Sequence, residues 1–450
     1  MTSRDTETQC SRDSVGSAEF EGTPQAQLNG IQRAIEFFGL KRSIVGLLSM
    51  VILVGMGEKM AERFLPVYLL ALAPGLLFLP GLLNAMDTLL SALYSYPGGY
   101  LSDRLGIKRA LLAFNGLAML GFLIVVLFPS WPAVFVGSVF FLSWTAISLP
   151  ATMDLVSKVL PKNKRTMGVS VHSLVRRIPM AAGPVVGGLL IDRFGVESGV
   201  RLAFALALLL AIVAAVAQQL LIDSPRKKDV STELETSNMR SLWRQMSPSL
   251  KNLLVSDILV RFCEQIPYAY LAIWAMESAR GAHISATQFG VLTTIEMITA
   301  ILIYIPVAYL ADKGSKKPFV VMTFIFFTIF PLILLVSRTF WLLVIAFIIR
   351  GLKEFGEPTR KALIMDLAPE DRKAGMFGLY YLIRDTVVSI SAFGGAFLWA
   401  YAEPEVNLVT AFVFGVVGTA WFAAYGKDLS NLEPQPAVPA DGSGPKKPQM

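Results

Sequence analysis

The stretch YPGGYLSDRLGIKRALL, Tyr96–Leu112, gathers Asp103, Arg104, Lys108 and Arg109 into one glycine-containing knot, and the chain on both sides of it is almost wholly apolar. A helix rises about 1.5 Å per residue, so about 20 apolar residues cross a hydrocarbon core of about 30 Å. The flanks of the knot have that length. The knot therefore reads as a polar turn between two membrane-spanning helices. The whole chain has the same texture. It is 54% hydrophobic and 16% charged, whereas a soluble domain carries about 25% charged residues. The weak ten-residue alternation of lipid-spanning strands is not visible.

Twelve apolar runs follow from this reading, at 43–69, 80–102, 109–128, 131–153, 167–191, 201–222, 252–276, 285–312, 317–337, 340–364, 375–401 and 406–426. The expected fold is an all-α polytopic membrane protein of twelve transmembrane helices in two six-helix bundles, 43–222 and 252–426. Residues 223–251, the only long polar interior segment, read as a linker between the bundles. The tails 1–42 and 427–450 are polar or rich in Pro and Gly and read as disordered. The first forty residues lack the short apolar core of a signal peptide. Lysines and arginines concentrate in the turns after even-numbered spans and in the linker, which places both termini in the cytoplasm of a cell with this protein in its inner or plasma membrane. The same loop charges account for the net charge of +7 without nucleic acid as a partner. Two cysteines and two histidines make neither a disulfide framework nor a metal site. No cofactor is expected.

The two halves repeat. GGYLSDRLGIKR, Gly98–Arg109, aligns with VAYLADKGSKKP, Val307–Pro318, so that Asp103 matches Asp312. ILVGMGE ends at Glu58 and ILVRFCE at Glu264; Asp87 answers Glu296, and Arg176 answers Arg384. All these pairs lie 206 to 209 residues apart. Consecutive six-helix units related by an axis along the membrane normal are a transporter architecture.

These residues resemble the major facilitator superfamily, and the likeness runs from about residue 43 to 426. Its best mark is the turn between spans two and three, with Gly99, Asp103, Arg104, Gly106 and Arg109, and a degenerate copy around Asp312. The resemblance implies that Asp103 stabilises an outward-facing state by contacting a helix of the other half, with Arg104 and Arg109 as charge partners. Read without the resemblance, these are charges that fix topology. A second, partial likeness is MAAGPVVGGLL, Met180–Leu190, where Gly183, Pro184, Gly187 and Gly188 resemble the span-five signature of antiporters, with Pro179 where a glycine is expected. Small residues also allow ordinary close packing, and Pro184 bends a helix. Span four has no arginine in FLSWTAISLPAT, Phe141–Thr152, which departs from the drug-antiporter pattern.

Charges within spans are costly and face a bundle interior or an aqueous cavity. Two matched sets emerge: Glu58, Asp87 and Arg176 against Glu264, Glu296 and Arg384. Burial favours the protonated carboxyl and a nearby guanidinium favours the ionised one, so relative movement of the two takes up or releases a proton. A structural ion pair between helices is the alternative for each acid. In span seven Asp257, Arg261 and Glu264 share a face. In span ten Arg350, Glu354, Glu357 and Lys361 share one face, with Arg350–Glu354 and Glu357–Lys361 as the bland pairings, and Pro358 removes a backbone bond and offers a bend. Span four lacks such charges, which biases expected substrate contacts to the second half. Tyr268, Tyr270, Trp274 and Tyr380 are candidate substrate contacts or packing residues. The function expected is secondary active transport of a small organic solute by alternating access, coupled to protons, with antiport favoured and a monomer as the working unit. A lipid flippase or a non-transporting sensor on the same fold is the alternative. No GxxxxGK[ST] loop or catalytic grouping points to an enzyme.

Overall fold

A computed structural model describes residues 42–142, 144–159, 172–222, 239–311, 315–369 and 373–427. Every element among them is a helix. In chain order they are α1 (Arg42–Glu62), α2 (Leu65–Leu72), α3 (Leu79–Leu105), α4 (Ile107–Leu127), α5 (Trp131–Phe141), α6 (Trp144–Val159), α7 (Arg177–Phe194), α8 (Val196–Leu221), α9 (Met239–Gln245), α10 (Pro248–Tyr268), α11 (Leu271–Met276), α12 (Ala286–Ala311), α13 (Lys317–Val336), α14 (Phe340–Leu352), α15 (Glu357–Leu367), α16 (Lys373–Tyr401) and α17 (Pro404–Tyr425). Eight helices are single pieces long and apolar enough to cross a membrane. The other expected spans coincide with the 27-residue α3 and with the pairs α5/α6, α10/α11 and α14/α15. The span expected from 252 begins at Pro248, and the segment read as linker contains α9.

Spans one, seven and ten are each broken in two, with a proline at or beside each break, and span four is described on either side of residue 143. Pro66 and Pro358 lack the amide that would carry a helix across the break, and Pro267 stands in the last turn before the break in span seven. In span ten, Gly356 precedes Glu357-Pro358, and the chain tightens through Lys353 N–H to Arg350 O (3.3 Å) and Glu354 N–H to Gly351 O (3.2 Å). These breaks turn backbone and charged side chains toward the interior, where irregular structure is tolerated in a membrane protein.

The start of span one meets the end of span six, where Arg42 donates to the Leu220 carbonyl (2.8 Å). Lys317 likewise donates to the Ala423 carbonyl of span twelve (2.8 Å). This end of the bundle is the terminal face; the opposite end is the distal face. Close packing repeats between the halves. A Cβ at Gly187 would collide with the Met60 carbonyl of span one, and a Cβ at Gly395 with the Ile266 carbonyl of span seven. Gly183 sits as closely against Lys59, and Gly188 against Ala286 of span eight. The glycines of Met180–Leu190 thus let three backbones approach one another.

Candidate functional site

The break in span one puts Glu58, Lys59, Glu62 and Arg63 on two successive turns. Lys59 Nζ bridges Glu58 Oε1 (3.1 Å) and Glu62 Oε2. Arg63 crosses to the other half, donating to the Tyr268 hydroxyl (2.8 Å) with its guanidinium 5.4 Å from that ring centre. Asp87 stands on α3 almost one turn beyond Asn84, whose amide donates to Gln265 Oε1 (3.0 Å) of span seven. Glu58, Lys59, Glu62, Asp87, Trp144 and Arg176 line a chamber of about 230 Å³. A second, smaller cavity of about 50 Å³ shares Glu62, Asp87 and Leu142 with it and adds Arg63, Asn84 and Tyr268. Glu58 is only 4% exposed. Its Oε2 and Asp87 Oδ1 are buried without a hydrogen-bond partner.

The second half places its acids among cations. Glu264 accepts from Arg261 (2.6 Å) and from Lys353 (2.8 Å). Glu296 lies 3.3 Å from Arg350 and 3.4 Å from Lys353, with Oε2 unpartnered. Toward the terminal face, Arg360 is 1% exposed. It grips Glu357 through Nη2 (2.8 Å) and Nε (3.1 Å) and also donates to Asp257. Asp257 accepts from the Tyr380 hydroxyl (3.0 Å), and Arg384 lies 3.5 Å from it. Forked guanidinium–carboxylate bonds of this kind are directional and strong. Only a small recess of about 10 Å³ lies against Glu264, Arg350 and Lys353.

The first matched set, Glu58, Asp87 and Arg176, comes together on one chamber wall. The second divides: Glu264 and Glu296 share Lys353, whereas Arg384 joins Asp257 and Asp385. The span-ten pairing expected from helical spacing changes. Arg350 binds Glu296, not Glu354, and Glu354 meets Arg177 of span five (3.1 Å). Glu357 lies 3.4 Å from Lys361 but takes its short bonds from Arg360. The break at 352–357 rotates α15 against α14, so one face does not continue across it. The same break explains why Lys353 and Arg360 do not stand out in the sequence, although Gly356-Glu357-Pro358 carries the signal.

Tyr268 lines the second cavity, with the Arg350 guanidinium 5.4 Å from its ring. Tyr270 stacks on Trp399 at 4.4 Å and donates to the Leu77 carbonyl (3.1 Å). Trp274 donates to the Leu334 carbonyl (3.1 Å). These two, like Tyr380, are buried in packing. Arg104 lies over the Tyr100 ring, and Arg109 is exposed. Gly99 and Asp103 fall on α3, but their side-chain surroundings, and Asp312 altogether, lie outside the described residues.

Two helical halves with discontinuous spans and charge-lined cavities are the architecture of a polytopic membrane carrier. The chain belongs to the Major Facilitator Superfamily, whose family model matches residues 47–278 and 253–448. It is 21% identical over 352 residues to an uncharacterized MFS-type transporter of Methanocaldococcus jannaschii, covering 75% of this chain and 85% of that one. Its fold is similar to that of a peptide transporter POT solved with sulfate (TM-score 0.68, 16% identity, 87% of this chain and 96% of that chain). It is also similar to a bacterial homolog of the human lysosomal transporter Spinster, solved inward-facing and unoccupied (TM-score 0.65, 15% identity, 87% and 97% covered).

Proposed function

We propose that this transporter moves a small charged or zwitterionic organic solute through the chamber of spans one, two, four and five, coupled to protons held at Asp87 and Glu58. The observation that carries the reading is the pair of buried, unpartnered oxygens, Asp87 Oδ1 and Glu58 Oε2, on the wall of the larger chamber. Asp87, which no ion pair reaches among the described residues, is free to take a proton or a solute amine, while Glu58 keeps one oxygen on Lys59 (3.1 Å) and one open; water reaching them from one face at a time makes uptake directional. Antiport follows when the two ligands compete for one carboxylate. The terminal face is cytoplasmic in this reading, and the plasma membrane is the site of action.

The test uses purified protein in proteoliposomes, with solutes selected by thermal stabilisation. An imposed pH gradient drives accumulation that a protonophore abolishes; Asp87→Asn retains solute exchange but loses the response to the gradient. Flux indifferent to both the protonophore and the substitution removes proton coupling at this acid.

A further inference from the structure

Asp192-Arg193-Phe194-Gly195-Val196, at the end of span five, repeats Asp103-Arg104-Leu105-Gly106-Ile107 at the end of span two. The local backbone repeats with the sequence. Gly106 and Gly195 each form the sole link between two helices, at φ +80° and +79°. Glycine reaches that region without strain. The Gly106 amide donates to Ser102 O (3.0 Å) and the Gly195 amide to Ile191 O (2.8 Å). Their carbonyls accept from Ala110 (2.9 Å) and Gly199 (2.8 Å) in the same manner. Spans two and five run in opposite directions, so the two copies stand at opposite faces of the bundle.

At the distal face the aspartate of this repeat bridges the halves. Asp192 Oδ1 accepts from the Ala286 amide and Oδ2 from the Thr287 amide, both at 2.9 Å. These are the first two amides of α12. The first four amides of a helix have no partner within it. Here Ser285 and Gln288 form a reciprocal capping box, with Gln288 N–H to Ser285 Oγ (3.2 Å) and Ser285 N–H to Gln288 Oε1 (2.9 Å). Phe289 N–H reaches Ser285 O (3.0 Å). The remaining two amides are capped from the opposite half, by a group whose negative charge the helix N-terminus favours. Directly below, Gly188 touches the Ala286 carbonyl, a Cβ at Gly290 would collide with the Pro184 carbonyl, and Thr294 Oγ1 donates to the Ala181 carbonyl (2.7 Å).

We propose that Asp192 is a latch that holds the distal face closed and lets go of the span-eight amides when that face opens. The inference rests on alternating access but needs no solute, so it is tested apart from the coupling reading. Solvent replaces the two bonds on opening, so the latch biases the equilibrium instead of locking it.

The experiment is pulsed electron-spin distance measurement on the full chain in nanodiscs, with spin labels at Ser198→Cys and Ala279→Cys and with Cys10 and Cys263 replaced by serine and alanine. Asp192→Ala is expected to raise the ratio of the long to the short distance about tenfold, equivalent to about 1.4 kcal/mol. Asp192→Asn keeps one acceptor oxygen without the charge and gives a smaller shift in the same direction; it also carries the test if the alanine variant does not fold. An unchanged distance distribution in the folded variants, whatever their thermal stability, overturns the latch, because a merely structural cap changes stability without moving this ratio.

Discussion

The two halves hold acids at matching places and satisfy them differently. Glu264 and Glu296 each meet two cations, whereas Glu58 shares Lys59 with Glu62, and no ion pair reaches Asp87 among the described residues. Span ten accounts for much of the contrast, because it brings Arg350, Lys353 and Arg360 where Phe141–Thr152 of span four brings no cation. The duplicated backbone fixes where a carboxylate stands; the supply of cations decides whether it is a structural tie or an open binding group.

The strongest way to break this comparison is to remove Arg360. It leaves Asp257 and Glu357 in a buried setting without their main partner, and unpairing a buried charge costs about 3–5 kcal/mol. Arg360→Leu should therefore unfold at much lower temperature than wild type in a detergent melt, while Asp87→Asn, which removes an unpaired charge, melts at or above it. Equal losses in both variants would erase the distinction between the halves.

Packing is where the halves agree, and the next effect should be symmetric. Gly187→Ala pushes a methyl group into the Met60 carbonyl, and Gly395→Ala into the Ile266 carbonyl. Overpacking costs about 1–3 kcal/mol, so the two variants should lower the melting temperature by similar amounts. A large loss for Gly187→Ala alone would mean that the span-five seam is special to the first half.

A functional contrast of about tenfold in gradient-driven accumulation, or about 1.4 kcal/mol, should separate Asp87→Asn from wild type while solute exchange persists. Glu296→Gln weakens the ties to Arg350 and Lys353 and should depress exchange and gradient response together. If Glu296→Gln uncouples and Asp87→Asn does not, the open carboxylate lies in the second half.

Much of this was legible in the sequence because span ends are marked locally. Gly106, Pro248 and Pro404 bound their helices within a few residues of where the apolar runs stop. The internal repeat also set Glu58 against Glu264 and Asp87 against Glu296 before any coordinates. Pairing was harder to read because it is set by helix phase and by contacts distant in sequence. Four-residue spacing links Arg350 to Glu354, but the break at Gly356 and Pro358 resets the phase, and the partner of Glu354 comes from span five. The bridge from Arg63 to Tyr268 likewise joins residues 205 apart, and no periodicity within either segment announces it.

The smallest expected effect belongs to the contact between the halves nearest this break, Arg177 with Glu354. Both side chains are partly exposed, at 18% and 24%, so solvent screens the 3.1 Å pair and the ordering of two long side chains offsets part of its attraction. A double-mutant cycle with Arg177→Gln and Glu354→Gln should give a coupling of only about 0.2–1 kcal/mol in thermal stability. The contrast with Arg360 then follows from burial and from the number of bonds, since Arg360 is 1% exposed and holds both Glu357 and Asp257 whereas Arg177 makes one contact to Glu354. A coupling as large as the Arg360 effect would show that water does not reach this part of the interface, and that the halves are tied there as firmly as the second half is tied to itself.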